Sequence, residues 1–213
     1  MNGITSATAL WYASRATGVV ALLMLTVVTI LGIVVNRQGH LPGLPRFAVT
    51  GLHRNLSLLS VAFVAAHVLT AVADTYVTIP LAAAVVPFSS PYERFWLGIG
   101  AVSLDLTIAV VVTSLLRPYL GRVPWRALHW LAYVLWPAAL AHSIGSGADL
   151  QHGALLDFAL GCAFAVAVAL TWRLVAAARA LPRAQRAGAL LPDPAGRASP
   201  GRTALVQPNR SSR

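Results

Sequence analysis

The chain has 213 residues, 57% of them hydrophobic and only 10% charged, with 16 basic side chains against 6 acidic ones. A mean hydropathy of +0.71 is wrong for a soluble domain and right for a polytopic membrane protein. Every basic residue is an arginine, and the arginines lie between and after the apolar runs, so the net charge of +10 reads as positive-inside patterning and excludes a nucleic-acid partner.

Residues 1–9 form a short N-terminus without Lys or Arg. The charged n-region of a signal peptide is missing, and the apolar run that follows is too long for a signal h-region. Crossing ~30 Å of hydrocarbon takes about 20 helical residues. Five segments meet that length, near 10–35, 52–76, 95–117, 124–146 and 153–178. They lack sustained two-residue alternation, so membrane strands are excluded. The expected fold is an all-α integral membrane bundle of about five transmembrane helices.

Charge sorts the connections. The first, "NRQGHLPGLPR", holds Arg37 and Arg46, with Arg54 just beyond; the third, "RPYLGRVPWR", holds Arg117, Arg122 and Arg126. Asp74 lies just before the second, where Glu93 and Arg94 cancel, and the fourth has Asp149 and no Arg. The N-terminus is therefore expected outside and the C-terminus in the cytoplasm, in a multi-pass protein of the cell membrane. Trp11, Tyr12, Tyr76, Tyr92, Trp96, Tyr119 and Trp125 cluster near span ends, as an interfacial belt in contact with membrane lipid does. Residues 179–213 are rich in Arg, Pro, Ala, Gly and Ser, and are expected to form a disordered cytoplasmic tail attracted to anionic lipid. There is no G-x-G-x-x-G unit and no P-loop, so no flavin or nicotinamide site is expected in this chain. The single Cys162 rules out an internal disulfide, and no C-x-x-C-H motif attaches a c-type haem.

Two apolar stretches begin and end with histidine: "HRNLSLLSVAFVAAH", from His53 to His67, and "HWLAYVLWPAALAH", from His129 to His142. Ionisable side chains inside a membrane are rare and usually functional. At ~100° per residue, fourteen residues bring His53 and His67 to one side of their helix, roughly 21 Å apart along its axis. The second and fourth spans run in the same direction. His53 and His129 then share an inner level, and His67 and His142 an outer level. Two imidazoles per level, in an apolar setting, is what haem b requires, with the four histidines as axial ligands of the iron. A zinc or copper site needs three or four ligands at one point. Met24 is the only methionine within a span, which argues against His/Met ligation. Thirteen residues leave His129 and His142 about 140° apart on an ideal helix. Pro137 lies between them and is expected to kink it. The outer level is thus the geometrically weaker one. The competing readings are helix–helix hydrogen bonding, and a proton- or metal-ion-translocating protein that uses intramembrane His and Asp. His40 and His152 fall in or beside loops and read as ordinary surface residues.

The stretch "LHRNLSLLSVAFVAAH" followed by "HWLAYVLWPAALAH", with "WYASRATG" near the start, resembles the ferric reductase-like transmembrane domain over residues 10–178. That family includes the membrane parts of ferric reductases and NADPH oxidases and the haem-binding subunit of the methionine-sulfoxide reductase system. The resemblance implies electron transport through b-type haem from the cytoplasmic side to the outer face. Two haems are expected, although some members hold one. Larger members have six spans and a flavin and nicotinamide module, which this chain lacks. The resemblance therefore implies an oxidoreductase membrane subunit supplied by a separate flavoprotein or quinol donor, with an outer-face reductase partner among the acceptors.

Several residues have supporting roles in this reading. Arg54 and Arg126 flank the inner level, where a guanidinium suits a haem propionate, and both also fit plain positive-inside placement. Arg15 lies near the outer end of the first span, against the charge rule, which favours an outer propionate as its partner. Asp105 and Asp157, in or at the edge of spans, are expected to hydrogen-bond to neighbouring helices or to take part in proton uptake. Phe63 and Trp136 lie between the levels, with packing as their expected role. Gly18, Gly32, Gly98, Gly100 and Gly161 are expected to allow close approach of helices or macrocycle.

Overall fold

The computed structural model describes residues 2–36, 45–75, 77–146 and 153–190. Every regular element among them is a helix: α1 (Asn2–Asn36), α2 (Arg46–Ala73), α3 (Leu81–Val85), α4 (Arg94–Leu115), α5 (Arg117–Leu120), α6 (Arg122–His129), α7 (Ala132–Gly145) and α8 (Ala154–Leu190). Four stretches are long and apolar enough to cross a membrane: Thr8–Val35, Phe47–Ala73, Arg94–Leu115 and Ala154–Arg179. They match the first, second, third and fifth predicted spans.

The predicted fourth span differs. Instead of one helix over 124–146, the chain forms α6 and α7 with a break at Trp130 and Leu131. The backbone tightens there: the N–H groups of Trp130, Leu131, Tyr133 and Val134 donate to the carbonyls of Ala127, Leu128, Trp130 and Leu131, each three residues back. Pro137 lies inside α7 and has no N–H for the Tyr133 carbonyl, which weakens the helix further. Before the break, Gly121 adopts φ 74° between α5 and α6, a conformation that a side chain disfavours.

Within residues 1–173, α1 packs along α2, α4 packs along α7, and α1 also touches α7. The arrangement is two helical hairpins, α1–α2 and α4–α7, set side by side. Leu31, Val34 and Val49 close the first interface, with Val27 and Leu56 against them. Leu22 of α1 and Ala159 of α8 meet Leu140 and Ile144 of α7, while Trp136 packs on Cys162 and Val166. The buried Trp136 indole donates to Thr26 Oγ1 at 3.0 Å, and that hydroxyl donates to the Leu22 carbonyl at 2.7 Å. Trp136 thus has the packing role expected of it.

The outward faces are apolar. Leu69 is 65% exposed, Leu115 68% and Phe164 71%. In water such surface would be costly, whereas in lipid it is the ordinary outside of a helix bundle. The chain is therefore a multi-pass membrane protein in character, with lipid as its natural solvent.

The rest of α8, residues 174–190, belongs to a second compact unit. The tail predicted to start at 179 is helical as far as Leu190. Alanine, arginine, leucine and glutamine, which dominate this stretch, are good helix formers and carry α8 past the predicted boundary. Residues 191–213 lie outside the described residues, as do His40, His152, Arg37, Tyr76 and Asp149.

Candidate functional site

The four intramembrane histidines come together as two facing pairs. The ring centroids of His53 and His129 are 6.4 Å apart and those of His67 and His142 6.2 Å apart. The ring planes cross at 72° and 68°. The pairing by level is the one the spacings predict. The angular mismatch of thirteen residues does not separate His129 from His142, because the tightened turn at the α6–α7 break intervenes. Each residue of such a turn advances about 120° instead of about 100°, which carries His142 back toward the line of His129.

Three of the rings are held in the same way. His67 Nδ1 lies 2.8 Å from the Ser14 carbonyl oxygen, His53 Nδ1 3.2 Å from that of Val28, and His142 Nδ1 2.9 Å from that of Trp96. A carbonyl only accepts, so Nδ1 carries the proton in each ring and Nε2 keeps the free lone pair. Four residues after each carbonyl stands a glycine: Gly18, Gly32 and Gly100. A methyl at Gly18 would lie 2.9 Å from His67 Nδ1, and one at Gly100 only 2.6 Å from His142 Nδ1. At Gly32 the nearest atom, His53 Cε1, is 3.4 Å away. One helical turn thus supplies both an acceptor for the ring N–H and the space that the ring occupies. These glycines stand out in the sequence as places of close approach, whereas their carbonyl partners do not, because the i, i+4 spacing gains meaning only once the facing helix is known. Gly98 also has a close neighbour, the Phe88 ring, while a methyl at Gly161 would meet nothing within 4 Å among the described residues, so no helix approaches closely there.

His129 is the exception. Its Nδ1 is buried and has no hydrogen-bond partner among the described residues. The ring stacks on Trp125, with centroids 4.9 Å apart and planes 26° from parallel. The Arg117 guanidinium lies over the same indole, 4.3 Å from its centroid. The less firmly held ring thus lies at the His53–His129 level, whereas the thirteen-residue spacing points to the His67–His142 level as the weaker one.

A cavity of ≈ 270 Å³ opens at the His67–His142 level. Arg15, Gly18, His67, Gly100, His142 and Ser143 are among its lining residues. Arg15 also lies over the Trp11 ring, 4.3 Å from its centroid. Arg54 and Arg126 are exposed, Asp105 is half-buried and Asp157 exposed.

Among the described residues, no three His, Cys, Asp or Glu side chains form a metal-binding group. The protein offers two imidazoles at each level, with a gap between them. A metal–imidazole bond is about 2.0 Å and a ring nitrogen lies about 1.1 Å from its ring centroid, so two arms in line through one metal ion put the centroids about 6.2 Å apart. The observed spacings of 6.2 and 6.4 Å match that figure. A direct hydrogen bond between the two rings of a pair would also require an N–H from one of them. In the His67–His142 pair both Nδ1 protons are already used on backbone carbonyls, so neither ring has an N–H left to offer the other.

No family model, curated protein or solved structure matches the chain.

Proposed function

We propose that this protein carries electrons across a membrane through b-type haem, as the membrane subunit of a ferric reductase-like oxidoreductase. The observation that carries the reading is the facing arrangement of His53 with His129 and His67 with His142 at the separation of two imidazoles sharing one metal ion. The donor set fits haem iron: neutral imidazoles in apolar surroundings, three of them with Nδ1–H fixed on a carbonyl. That hydrogen bond orients the ring and raises its basicity as a ligand. The cavity beside His67 and His142 supplies apolar space for part of a macrocycle, and Arg15 on its wall offers a guanidinium to a propionate. Haem b would supply the one-electron chemistry; His53, His129, His67 and His142 would hold it, and the apolar helices would position it and exclude water.

In this reading α6 and α7 together make the fourth of five crossings. The N-terminus is outside and the C-terminus in the cytoplasm of a cell-membrane protein, following the arginine distribution. His53 and His129 then lie toward the cytoplasm, where a separate flavoprotein or quinol donor delivers electrons. His67 and His142 lie toward the outer face and an acceptor partner.

The test is the visible spectrum of the detergent-solubilised protein, oxidised and dithionite-reduced, with a pyridine haemochrome assay. A sharp reduced α-band of low-spin haem b at two per chain is expected. A colourless protein from haem-replete cells would sink the reading and favour a relay of His and Asp side chains.

A further inference from the structure

The carbonyl–glycine seat occurs twice on α1, at Ser14/Gly18 and Val28/Gly32, fourteen positions apart like the two histidines of α2 that it receives. On α4 it occurs once, at Trp96/Gly100. Fourteen positions further along α4 stand Val110 and Ser114, and no glycine. The histidine left without a seat is His129, whose Nδ1 is the buried imidazole nitrogen lacking a partner among the described residues. His129 is also the last residue of the eight-residue α6, directly before the break at Trp130 and Leu131. Stacking on Trp125, itself covered by Arg117, is the contact that holds the ring. Stacking fixes the plane of an imidazole but neither its tautomer nor its rotation within that plane.

These three features lie on one residue. The missing acceptor makes the ring a poorer electron donor to a metal, since a hydrogen-bonded Nδ1–H raises the basicity of Nε2. The helix end and the break give the ring freedom to withdraw. Its partner across the gap, His53, is seated on Val28 and Gly32 and stays in place. Both rings of the other level are seated.

We propose that His129 is the exchangeable arm of its level: a small uncharged ligand of the carbon monoxide class displaces it from ferrous haem, while the His67–His142 level stays closed. The inference rests on the haem reading above. The exchange breaks one iron–nitrogen bond and forms one iron–ligand bond, with no electron transferred. Loss of an outer-shell partner typically weakens a metal ligand by about 10–100-fold, which is the expected difference in exchange between the two levels. Trp125 is then a positioning residue for His129.

The experiment uses the full chain in detergent, reduced with dithionite and exposed to carbon monoxide, with haem quantified per chain. About half of the haem should shift to a carbon monoxide spectrum and the other half keep its low-spin α-band. Trp125→Ala should speed the shift of the reactive half by about tenfold or more and leave the unreactive half unchanged. His129→Ala should keep the haem of its level on His53 and bind carbon monoxide at once. His53→Ala, left with the unseated ring alone, should lose that haem. No shift in either half, equal shifts in both, or a reactive half that follows His142→Ala and ignores His129→Ala would overturn the proposal while leaving the haem reading intact. A protein without haem would overturn the haem reading, and the proposal with it.

Discussion

His142 reaches back to α4, where its Nδ1 lies 2.9 Å from the Trp96 carbonyl oxygen. That carbonyl also faces the N–H of Gly100 one turn later, and the absence of a side chain there lets the ring approach. A methyl at Gly100 would stand 2.6 Å from the ring nitrogen, nearer than any real contact, so the imidazole must move. Gly100→Ala should therefore lower thermal stability by about 1–3 kcal/mol through overpacking and, on the proposed haem function, disturb the low-spin spectrum of haem held by His67 and His142. Gly18→Ala should behave similarly. Gly32→Ala, with 3.4 Å available to His53 Cε1, should stay under about 1 kcal/mol and leave the spectrum almost unchanged. Melting curves and visible spectra of the three variants decide the matter; equal effects at all three positions would refute the seat.

The crossed rings give a magnetic prediction. Axial imidazoles with parallel planes split the iron d-orbitals strongly, and planes near a right angle leave two of them nearly degenerate. The planes here cross at 72° and 68°. On the proposed haem function, oxidised protein should give strongly anisotropic low-spin ferric EPR signals with a large highest g-value at both levels. His67→Ala or His142→Ala should remove the signal of their own level only. Ordinary rhombic spectra would mean that the rings turn parallel around iron, against the arrangement seen here.

The pairing of histidines by level could be read from the sequence because helical pitch is regular. Fourteen residues return to one face, and two such helices in the same direction must bring their histidines to matching depths. The helix break at Trp130 and Leu131 could not be read. Trp130 and Leu131 are themselves apolar, and hydropathy carries no information on whether a carbonyl bonds three or four residues ahead; the polar residues of α6, Arg122 and Arg126, read from sequence as a cytoplasmic loop instead. The thirteen-residue spacing makes the His67–His142 level look weak, and the sequence leaves open whether a kink at Pro137 compensates; in the structure both rings of that level are seated. The decisive partners, the carbonyls of Ser14, Val28 and Trp96, belong to backbone that every residue has. No residue type advertises them. Only the glycine one turn later leaves a trace in the sequence, and it becomes meaningful once the facing histidine is known.

Thr26 and Trp136 form a buried link between α1 and α7. Thr26→Val keeps the shape and removes the acceptor, so the indole N–H is left unpaired in an apolar setting. The expected cost is about 1–3 kcal/mol. Thr26→Ser keeps the oxygen and loses one methyl, for about 0.5–1.5 kcal/mol. Thermal unfolding followed by tryptophan fluorescence should show the valine variant as the less stable of the two. The reverse order would mean that methyl packing, not the hydrogen bond, ties the hairpins together here.

Pro137 separates helix stability from site geometry. An interior proline costs a helix roughly 3 kcal/mol, since it removes an N–H and crowds the carbonyl four residues back. Its place between His129 and His142 makes sense if it helps bring His142 opposite His67. Pro137→Ala restores the N–H toward the Tyr133 carbonyl and allows α7 to straighten. Helix content by circular dichroism should hold or rise, and the melting temperature should not fall. The His67–His142 level should nevertheless lose its low-spin haem signal, because straightening moves His142 off the Trp96 carbonyl and away from its partner. The His53–His129 level, before the proline, should keep its spectrum. If both levels stay low-spin in a protein of unchanged haem content, the α6–α7 break alone sets the direction of His142, and the proline serves only the packing of α7.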